Sequence, residues 1–305
     1  MVKKKKRIVT INKFTGELEE VACPICQDPP LPRLIFKSSA GIGFWTCPLC
    51  NIQFASPRFT RQSLLEIYEN ESFADLSFYD DWSYDRWKRE NRDRSYITQR
   101  LKLGILKQYL NKDDRILDVG CGPGLFCLEA SREGLCAEGI EPSRMLVEIG
   151  WQKLKADVHQ GLLEDYEPGY KFKAITVWDV LEHISNPVEI LSKCHNLLEA
   201  NGYLFIQVPN YNGISNRFKT FLNRSGIRNT EFKHFGFPWH IFSFNQKSLS
   251  VLLVTCGFTP VMYESWSHKL KDGTSDILSK VIVHFSKKYN LSDYITCLAR
   301  KKQLP

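Results

Sequence analysis

The chain has 305 residues, of which 43% are hydrophobic and 25% are charged. These proportions exclude a collagen-like or largely disordered chain and are typical of a folded globular protein. The length allows one large domain with a smaller one attached. The formal net charge is +7, but residues 3–7 supply five positive charges, and the rest carries 36 basic against 34 acidic residues. The nearly balanced charge of these remaining residues gives little support to a nucleic-acid-binding function.

We assign residues 1–20 to a basic tail. No apolar run approaches the roughly 20 residues that span a bilayer, and the segment after the lysines is too short and too polar for a signal-peptide core. We therefore expect no membrane span and a cytoplasmic location. The chain has ten cysteines, four of them in two N-terminal pairs. The other six are scattered among apolar residues and are most simply free thiols in a reducing compartment.

Two cysteine pairs lie in residues 21–58, with Cys23 and Cys26 in one C-x-x-C motif and Cys47 and Cys50 in the other. Each motif can direct two thiolates at one point, and two such motifs provide the four ligands of a structural zinc site. Iron accepts the same ligands, and redox pairs or a chance spacing are the alternatives. Few basic residues accompany the cysteines, so the pattern predicts a structural zinc ribbon rather than a nucleic-acid-binding module.

The pattern of residues 59–112 indicates a helical connector. Helices are predicted near 63–68 and over 94–110. Between them, residues 73–96 are dense in aromatic and charged side chains, which either pack against the next domain or cover a ligand as a lid.

Residues 113–305 form the predicted main domain, in which short apolar segments alternate with helical patterns. The strands are predicted at 116–119, 135–140, 157–159, 174–178 and 203–208. The helices are predicted at 125–132, 144–154 and 187–198. This alternation indicates an α/β fold, a parallel sheet with helices on both faces, and ligands bind such sheets beyond the carboxyl ends of the strands.

A glycine loop, Gly120-Cys121-Gly122-Pro123-Gly124, follows the first of these strands. Its G-x-G-x-G spacing differs from the G-x-G-x-x-G typical of dinucleotide binding. Asp118, just before the loop, would repel the pyrophosphate of NAD and attract the ammonium and sulfonium groups of S-adenosylmethionine. Glu141 ends the second strand, where a carboxylate can accept both ribose hydroxyls. The combination predicts S-adenosylmethionine as the cofactor.

These segments, with Trp178-Asp179-Val180-Leu181-Glu182-His183 and 202–210, resemble the class I S-adenosylmethionine-dependent methyltransferases. The D-V-L-E-H motif is similar to that of a subgroup that includes ubiquinone-pathway O-methyltransferases and methyltransferases of bacterial polysaccharide and sugar biosynthesis. In that subgroup an N-terminal four-cysteine zinc element is common. The resemblance implies a Rossmann-like seven-stranded sheet, with a sixth strand near 258–263 and a final antiparallel strand near 294–299.

The resemblance also implies roles for single residues. The loop glycines lie against the methionine part of the cofactor, the acid before them lies near its amino group, and the acid after the second strand holds the ribose. Gly161-Leu162-Leu163 borders the adenine, and the end of the fourth strand lies next to the methyl group. The implied cofactor-binding residues are Asp118, Gly120, Cys121, Gly122, Glu141, Pro142, Leu163, Trp178 and Asp179.

Methyl transfer needs a base only when the nucleophile must lose a proton, and histidine suits that role at neutral pH. His183 follows the fourth strand, and His240 lies in the long segment after the fifth. These two are the catalytic candidates, with a structural role as the alternative for each. His234 is a further candidate for a substrate contact.

The insertion at 211–240 carries five basic residues against one acidic residue. It is either a solvated segment or a lid that meets an anionic small-molecule substrate. We expect O- or C-methylation of a sugar, a nucleotide sugar or a related precursor of cell-surface polysaccharide. The alternatives are an RNA or protein methyltransferase whose ribbon captures the macromolecule, and a non-catalytic cofactor-binding interaction module. Nucleic acid is not the expected partner, and the oligomeric state is not indicated.

Overall fold

The computed structural model describes residues 7–11, 14–26, 29–69, 94–227, 235–266 and 289–302. Most of the aromatic-rich segment 73–96 and all of His234 lie outside the described residues. The contacts of the chain divide it into two units. The first unit comprises residues 1–65, 179–188 and 207–298, and the second comprises 66–178, 189–206 and 299–305.

The described strands and helices follow in chain order. The strands are β1 (Arg7–Ile11), β2 (Phe14–Glu19), β3 (Arg33–Lys37), β4 (Gly43–Thr46), β5 (Gln53–Ser56), β6 (Arg58–Phe59), β7 (Arg115–Val119), β8 (Cys136–Glu141), β9 (Val158–Gln160), β10 (Phe172–Trp178), β11 (Leu198–Pro209), β12 (Phe242–Ser243), β13 (Phe258–Trp266) and β14 (Tyr294–Lys301). The helices are α1 (Arg61–Glu69), α2 (Arg94–Leu106), α3 (Leu125–Arg132), α4 (Arg144–Ile149), α5 (Pro187–Leu197), α6 (Ile214–Arg224) and α7 (Gln246–Thr255).

A hairpin forms part of the segment that the sequence assigns to a basic tail. Strands β1 and β2 pair antiparallel, and β2 also pairs with β6. The four consecutive β-branched residues of Arg7–Ile11 favour a strand over a disordered tail. Ser63 at the start of α1 fixes the hairpin, because its hydroxyl accepts a hydrogen bond from the Glu17 amide at 2.8 Å.

A second, four-stranded sheet carries the cysteine pairs, with the strand order β12-β5-β4-β3. The described pairings in this sheet are antiparallel. The second C-x-x-C motif forms the turn between β4 and β5. The Asn51 amide donates to the Cys47 carbonyl at 2.9 Å to close the turn, and Asn51 takes a left-handed φ of 65°.

The seven-stranded sheet has the order β13-β14-β11-β10-β7-β8-β9. Strands β10, β7, β8 and β9 pair in parallel, and they coincide with four of the predicted strands. Their side chains are mostly buried on both faces, as expected of parallel strands covered by helices. Strand β14 lies between β13 and β11, although it is the last in the chain. The seven-stranded α/β fold is therefore confirmed.

Two helices differ from the sequence expectation. The helix predicted over 144–154 is α-helical only to Ile149 and continues as a π-helical turn, Gly150–Leu154. Helix α2 ends at Leu106, four residues before the predicted end, and on it Leu101 is 47% exposed whereas Lys102 is 7% exposed. Among the described residues, no helix combines the length and the apolarity needed to cross a membrane.

Candidate active site

The glycine loop after β7 leaves room for a ligand against its backbone. Gly122 has a φ of +56°, and nothing lies within 4 Å of the position that a Cβ atom would take. Gly124 has a φ of +81°, and a Cβ atom there would lie 2.5 Å from Val158 Cγ2. Only glycine adopts these conformations without strain. The loop is therefore an open, backbone-lined cradle followed by a tight entry into α3.

Glu141 holds this loop from the end of β8. Its Oε2 accepts a hydrogen bond from the Gly122 amide at 3.0 Å, and its Oε1 accepts one from the Ser143 amide at 3.0 Å. Burial raises the pKa of Glu141, and the two amide donors oppose that rise. A carboxylate has about four lone-pair positions, so two remain for a pair of ligand hydroxyls.

Asp118 lies buried near the end of β7. Its Oδ1 accepts a hydrogen bond from the Thr176 hydroxyl at 2.6 Å. Burial raises the pKa of Asp118 to about 7, although the Thr176 hydroxyl and the Lys102 ammonium act in the opposite direction. Lys102 is itself buried, with its Nζ 4.8 Å from the centroid of the Trp178 ring. Lys102 could not be singled out from the sequence, because nothing in one helical lysine distinguishes a buried ammonium from an exposed one.

The remaining cofactor candidates of the second unit are Cys121, Pro142, Leu163 and Trp178. Cys121 follows the first loop glycine, and Gly139 on β8 leaves space for its sulfur, because a Cβ atom there would lie 2.4 Å from Cys121 Sγ. Pro142 is half-buried. Leu163 and Trp178 are almost fully buried. Leu163 therefore packs in the core of its unit, and its backbone is the part best suited to a ligand contact.

The four paired cysteines meet at one point in the first unit. All are free thiols, and their sulfur atoms lie within 4.8 Å of one another. Cys23 Sγ lies 3.6 Å from Cys50 Sγ, and Cys26 Sγ lies 3.9 Å from Cys47 Sγ. Four sulfurs bound to one tetrahedral zinc at about 2.3 Å would be about 3.8 Å apart. The observed distances fit a four-thiolate metal centre.

His183 and His240 are neighbours in the first unit, with ring centroids 4.8 Å apart and planes at 84°. His183 Nδ1 lies 3.0 Å from the Trp239 carbonyl oxygen, which can only accept, so Nδ1 carries the proton. Burial, with a smaller effect of the neighbouring His240, lowers the pKa of His183 to about 3. The neutral ring therefore presents a lone pair at Nε2.

Glu182 lies next to this lone pair, with its Oε1 3.9 Å from His183 Nε2. Two acceptor atoms this close to each other suit a group they can share, either a hydroxyl donor or a divalent cation. A carboxylate oxygen of Glu182 and one nitrogen of each histidine lie within 4.8 Å of one another, which is compatible with either occupant. From the sequence, Glu182 is either a partner of His183 or an acid favoured by the dipole at a helix N-terminus.

Asp179 directly follows β10 and begins the segment that carries Glu182 and His183. It has a φ of +58°, which is uncommon for a residue other than glycine. Gln207 holds it there: the Asp179 amide donates to the Gln207 carbonyl at 3.0 Å, and the Gln207 side-chain amide donates to Asp179 Oδ2 at 2.6 Å. Backbone strain of this kind is concentrated at functional sites.

The cysteine-bearing sheet supports the segment around His240 within the first unit. Strand β12, which begins two residues after His240, pairs with β5. The Ala55 amide donates to the Ile241 carbonyl at 3.0 Å. The Ile241 amide in turn donates to the Glu182 carbonyl at 2.8 Å. These hydrogen bonds connect the cysteine sheet to both histidine segments.

Arg58 provides a second connection of the same kind. Its side chain is buried, its Nη2 donates to the Ser185 carbonyl at 2.9 Å, and its Nε donates to Glu19 Oε1 at 3.0 Å. The guanidinium also lies 5.3 Å from the centroid of the Phe242 ring. Ser185 is two residues after His183, so Arg58 fixes the backbone that carries this histidine. Arg58 could not be singled out from the sequence, because the Ser185 carbonyl and the Glu19 carboxylate are distant from it in the chain.

Residues 88–263 match the protein family described as a methyltransferase domain. The match covers 176 of the 305 residues, more than half of the chain. The chain belongs to this methyltransferase-domain family. The methyltransferase is 30% identical over 125 residues to a ubiquinone biosynthesis O-methyltransferase of Histophilus somni, which covers 36% of this chain and 51% of the relative. It is 26% identical over 164 residues to the enzyme of that name from Coxiella burnetii, covering 50% of this chain and 67% of the relative. The methyltransferase thus spans about half the length of the first relative.

Solved structures agree on the fold. Magnesium protoporphyrin IX methyltransferase from Synechocystis PCC 6803 with bound SAH has a TM-score of 0.54 at 14% identity, covering 80% of this chain and all of the other. Phosphoethanolamine N-methyltransferase 2 of Haemonchus contortus, in complex with S-adenosyl-L-methionine, has a TM-score of 0.52 at 16% identity, covering 82% and 63%. These two likenesses, both below 25% identity, support the seven-stranded α/β fold of the chain.

Proposed function

We propose that this methyltransferase transfers a methyl group to a hydroxyl oxygen of a small biosynthetic metabolite. The observation that carries the proposal is the pair of acceptor atoms, His183 Nε2 and Glu182 Oε1, which lie 3.9 Å apart and suit a shared hydroxyl donor. The names of the relatives, ubiquinone biosynthesis O-methyltransferases, agree with an oxygen acceptor.

The cofactor residues in this proposal lie around the glycine loop. Glu141 accepts the two ribose hydroxyls with its remaining lone pairs, and Gly122 provides the open backbone surface. Asp118 attracts the amino group of the methionine part when its carboxyl is ionised. When bound, S-adenosylmethionine supplies a methyl group on a cationic sulfur that an oxygen nucleophile can displace. The open space at Gly122 and the hydrogen bonds of Glu141 support this assignment.

His183 is the proposed general base. The hydrogen bond from Nδ1 to the Trp239 carbonyl selects the tautomer whose Nε2 can accept a proton. Burial holds the pKa of His183 low, so proton acceptance by Nε2 depends on the Glu182 carboxylate, whose oxygen lies 3.9 Å away and stabilises the imidazolium that forms. His240 packs against the ring of His183 and limits its rotation. A base of this kind contributes about 10²- to 10⁴-fold to the rate.

The cysteines complete the proposal as a structural zinc centre. Four thiolates leave no open coordination position, so the metal would be structural rather than catalytic. The contacts of Ala55 and Arg58 support a role in holding the histidine segments, which needs no macromolecular partner. The proposed domain organisation keeps a ribbon at 21–58, a connector at 59–112 and a methyltransferase domain at 113–305 with an insertion at 211–240.

A transfer assay with methyl-labelled cofactor tests the function. The acceptors are phenolic metabolites, sugars and nucleotide sugars as polysaccharide precursors, and RNA. We expect label on a hydroxyl oxygen of a small molecule. Label on RNA or protein alone would contradict the proposal, and cofactor binding without transfer to any acceptor would favour a non-catalytic module.

A variant pair then tests the base. His183→Asn keeps a donor for the Trp239 carbonyl and removes the proton acceptor, so kcat should fall by about 10²-fold or more while KM changes little. His183→Ala removes both groups and should lower stability as well. An Asn variant with wild-type kcat would exclude His183 as the base.

A further inference from the structure

Helix α6 exposes an apolar stripe to solvent. Within its described range, 214–224, no side chain is buried. Ile214 is 44% exposed, and Phe218 and Phe221 are each 61% exposed. Ile227, just after the helix, is 72% exposed. Phenylalanine is seldom left this accessible, and an exposed apolar cluster marks an interaction surface.

The stripe lies on one side of the helix. Positions 214, 218, 221 and 222 fall within an arc of about 100° at 3.6 residues per turn. The opposite side holds Asn216, whose side-chain amide donates to the Asn210 carbonyl at 2.8 Å. The Ile214 amide donates to the Leu291 carbonyl at 2.8 Å. The helix is therefore fixed at its first turn by its polar side and its backbone, with the apolar stripe outward.

Positive charge flanks the stripe on both sides. Arg217 and Arg224 border one edge, and Lys219 borders the other, because they lie about 40–60° from the edges of the stripe in opposite directions. The helix contains no acidic residue, and the sequence has none from Ala200 to Thr230. An apolar stripe between two cationic edges is the pattern of helices that lie in the plane of a membrane interface.

We propose that α6 is an interfacial helix by which this methyltransferase binds the surface of an anionic phospholipid membrane. Phe218 and Phe221 insert between the acyl chains near the headgroups, and the arginines contact lipid phosphates through their planar donors. At about 16 Å the helix is too short to span a bilayer and long enough to lie in the interface. The proposal concerns a surface outside the cofactor-binding loop and goes beyond methyl transfer itself.

Charge complementarity selects this occupant over a second copy of the chain. A symmetric dimer through this face would place the cations of one α6 against those of the other, with no acidic residue in either helix to compensate. Nucleic acid would meet the charges and could stack bases on Phe218 and Phe221, but it would leave the aliphatic Ile214 and Ile227 exposed to water. A lipid surface satisfies both the apolar and the cationic groups.

Vesicle co-sedimentation with the full chain tests the proposal. The vesicles contain phosphatidylcholine alone or with about 30% phosphatidylglycerol. Binding should require the anionic lipid and should weaken at about 0.5 M NaCl. Phe218→Gln with Phe221→Gln should weaken binding at least tenfold. Arg217→Gln with Arg224→Gln should weaken it about 25-fold, since each cation near such a surface contributes about fivefold.

Matched variants elsewhere serve as controls. Val254→Gln with Val261→Gln removes two other exposed apolar side chains, and Lys155→Gln with Lys247→Gln removes two other exposed cations. Both controls should bind vesicles as the wild type does. Every variant should keep its affinity for S-adenosylmethionine, which separates this test from that of the methyl-transfer function.

Three results would overturn the proposal. The first is a wild-type protein that stays in solution with anionic vesicles. The second is equal binding by the phenylalanine variants and the wild type. The third is a wild-type dimer in sedimentation velocity that becomes a monomer in the phenylalanine variant, with no vesicle binding by either, which would assign the face to a second copy.

Discussion

Replacement of Glu141 is the most direct test of the cofactor site. Glu141→Ala removes both lone-pair positions that we assign to the ribose hydroxyls, and it also leaves the Gly122 and Ser143 amides without their carboxylate partner. A hydrogen bond to a charged group contributes about 1.5–3 kcal/mol. Two such bonds, partly replaced by water in the vacated space, correspond to about 3 kcal/mol, or an affinity for S-adenosylmethionine lower by about 100-fold or more.

Titration calorimetry measures this affinity. Glu141→Gln should show a smaller loss, about tenfold, because the amide keeps one acceptor oxygen and turns a donor group toward one of the two backbone amides. Glu148→Ala is the matched control, since this carboxylate is exposed and pairs only with Arg144 on the surface of α4. A folded Glu141→Ala protein that binds the cofactor within about threefold of wild type would refute the assignment.

The site leads to four further predictions. The wild-type protein purified without chelators should contain about one zinc per chain by metal analysis, and a metal-free wild type would contradict this prediction. Cys47→Ser should lose most of the zinc and unfold more readily. Cys136→Ser, which removes an exposed lone thiol, should keep the metal. The affinity for S-adenosylmethionine should rise about five- to tenfold from about pH 6 to about pH 7.5, because burial raises the pKa of Asp118 to about 7 and only the ionised carboxyl attracts the amino group. In Asp118→Asn this dependence should disappear, and a slope that persists would assign it to another group. Because the pKa of Asp118 is raised in the folded state, the free energy of unfolding of the apo protein should fall as the pH rises from about 4 to about 7. In the apo Asn variant, the free energy of unfolding measured by urea denaturation should vary less with pH over that range. Arg58→Met should lower the free energy of unfolding by about 3 kcal/mol, because the Ser185 carbonyl loses a buried charged donor. Arg58→Lys should recover about half of that loss. An unchanged denaturation midpoint in the Met variant would show that the hydrogen bond from Arg58 to Ser185 is unimportant for stability.

The α/β part of the fold could be predicted because its signals are local. Strands β7, β8, β9 and β10 are short apolar runs, and the helix predicted over 125–132 matches α3 residue for residue. The loop that contains Gly122 and the acid that ends β8 follow from their spacing along the chain. These features depend on neighbours within about one βαβ unit, which a sequence pattern contains.

The parts that could not be predicted depend on contacts between distant segments. The strand character of Arg7–Ile11 is present in its residues, but its partner β2 and the attachment of β2 to β6 are not visible in a local pattern. His183 and His240 were singled out separately, and the structure shows that their rings touch across 57 positions of sequence. Burial of Lys102 and Arg58 depends on surrounding residues from other segments. No periodicity within one segment encodes these contacts.

The pairing of β12 with β5 has a consequence for the order of events during synthesis. The edge of β5 that receives β12 is complete once Ser56 has left the ribosome, but its partner ends 187 residues later, at Ser243. At about 5–20 residues per second, that edge waits about 10 to 40 s for its partner. An unpaired strand edge attracts other strands. A metal bound early by the four cysteines would keep the nascent sheet compact during this interval, and zinc starvation would then reduce the yield of folded enzyme more than the stability of enzyme already made.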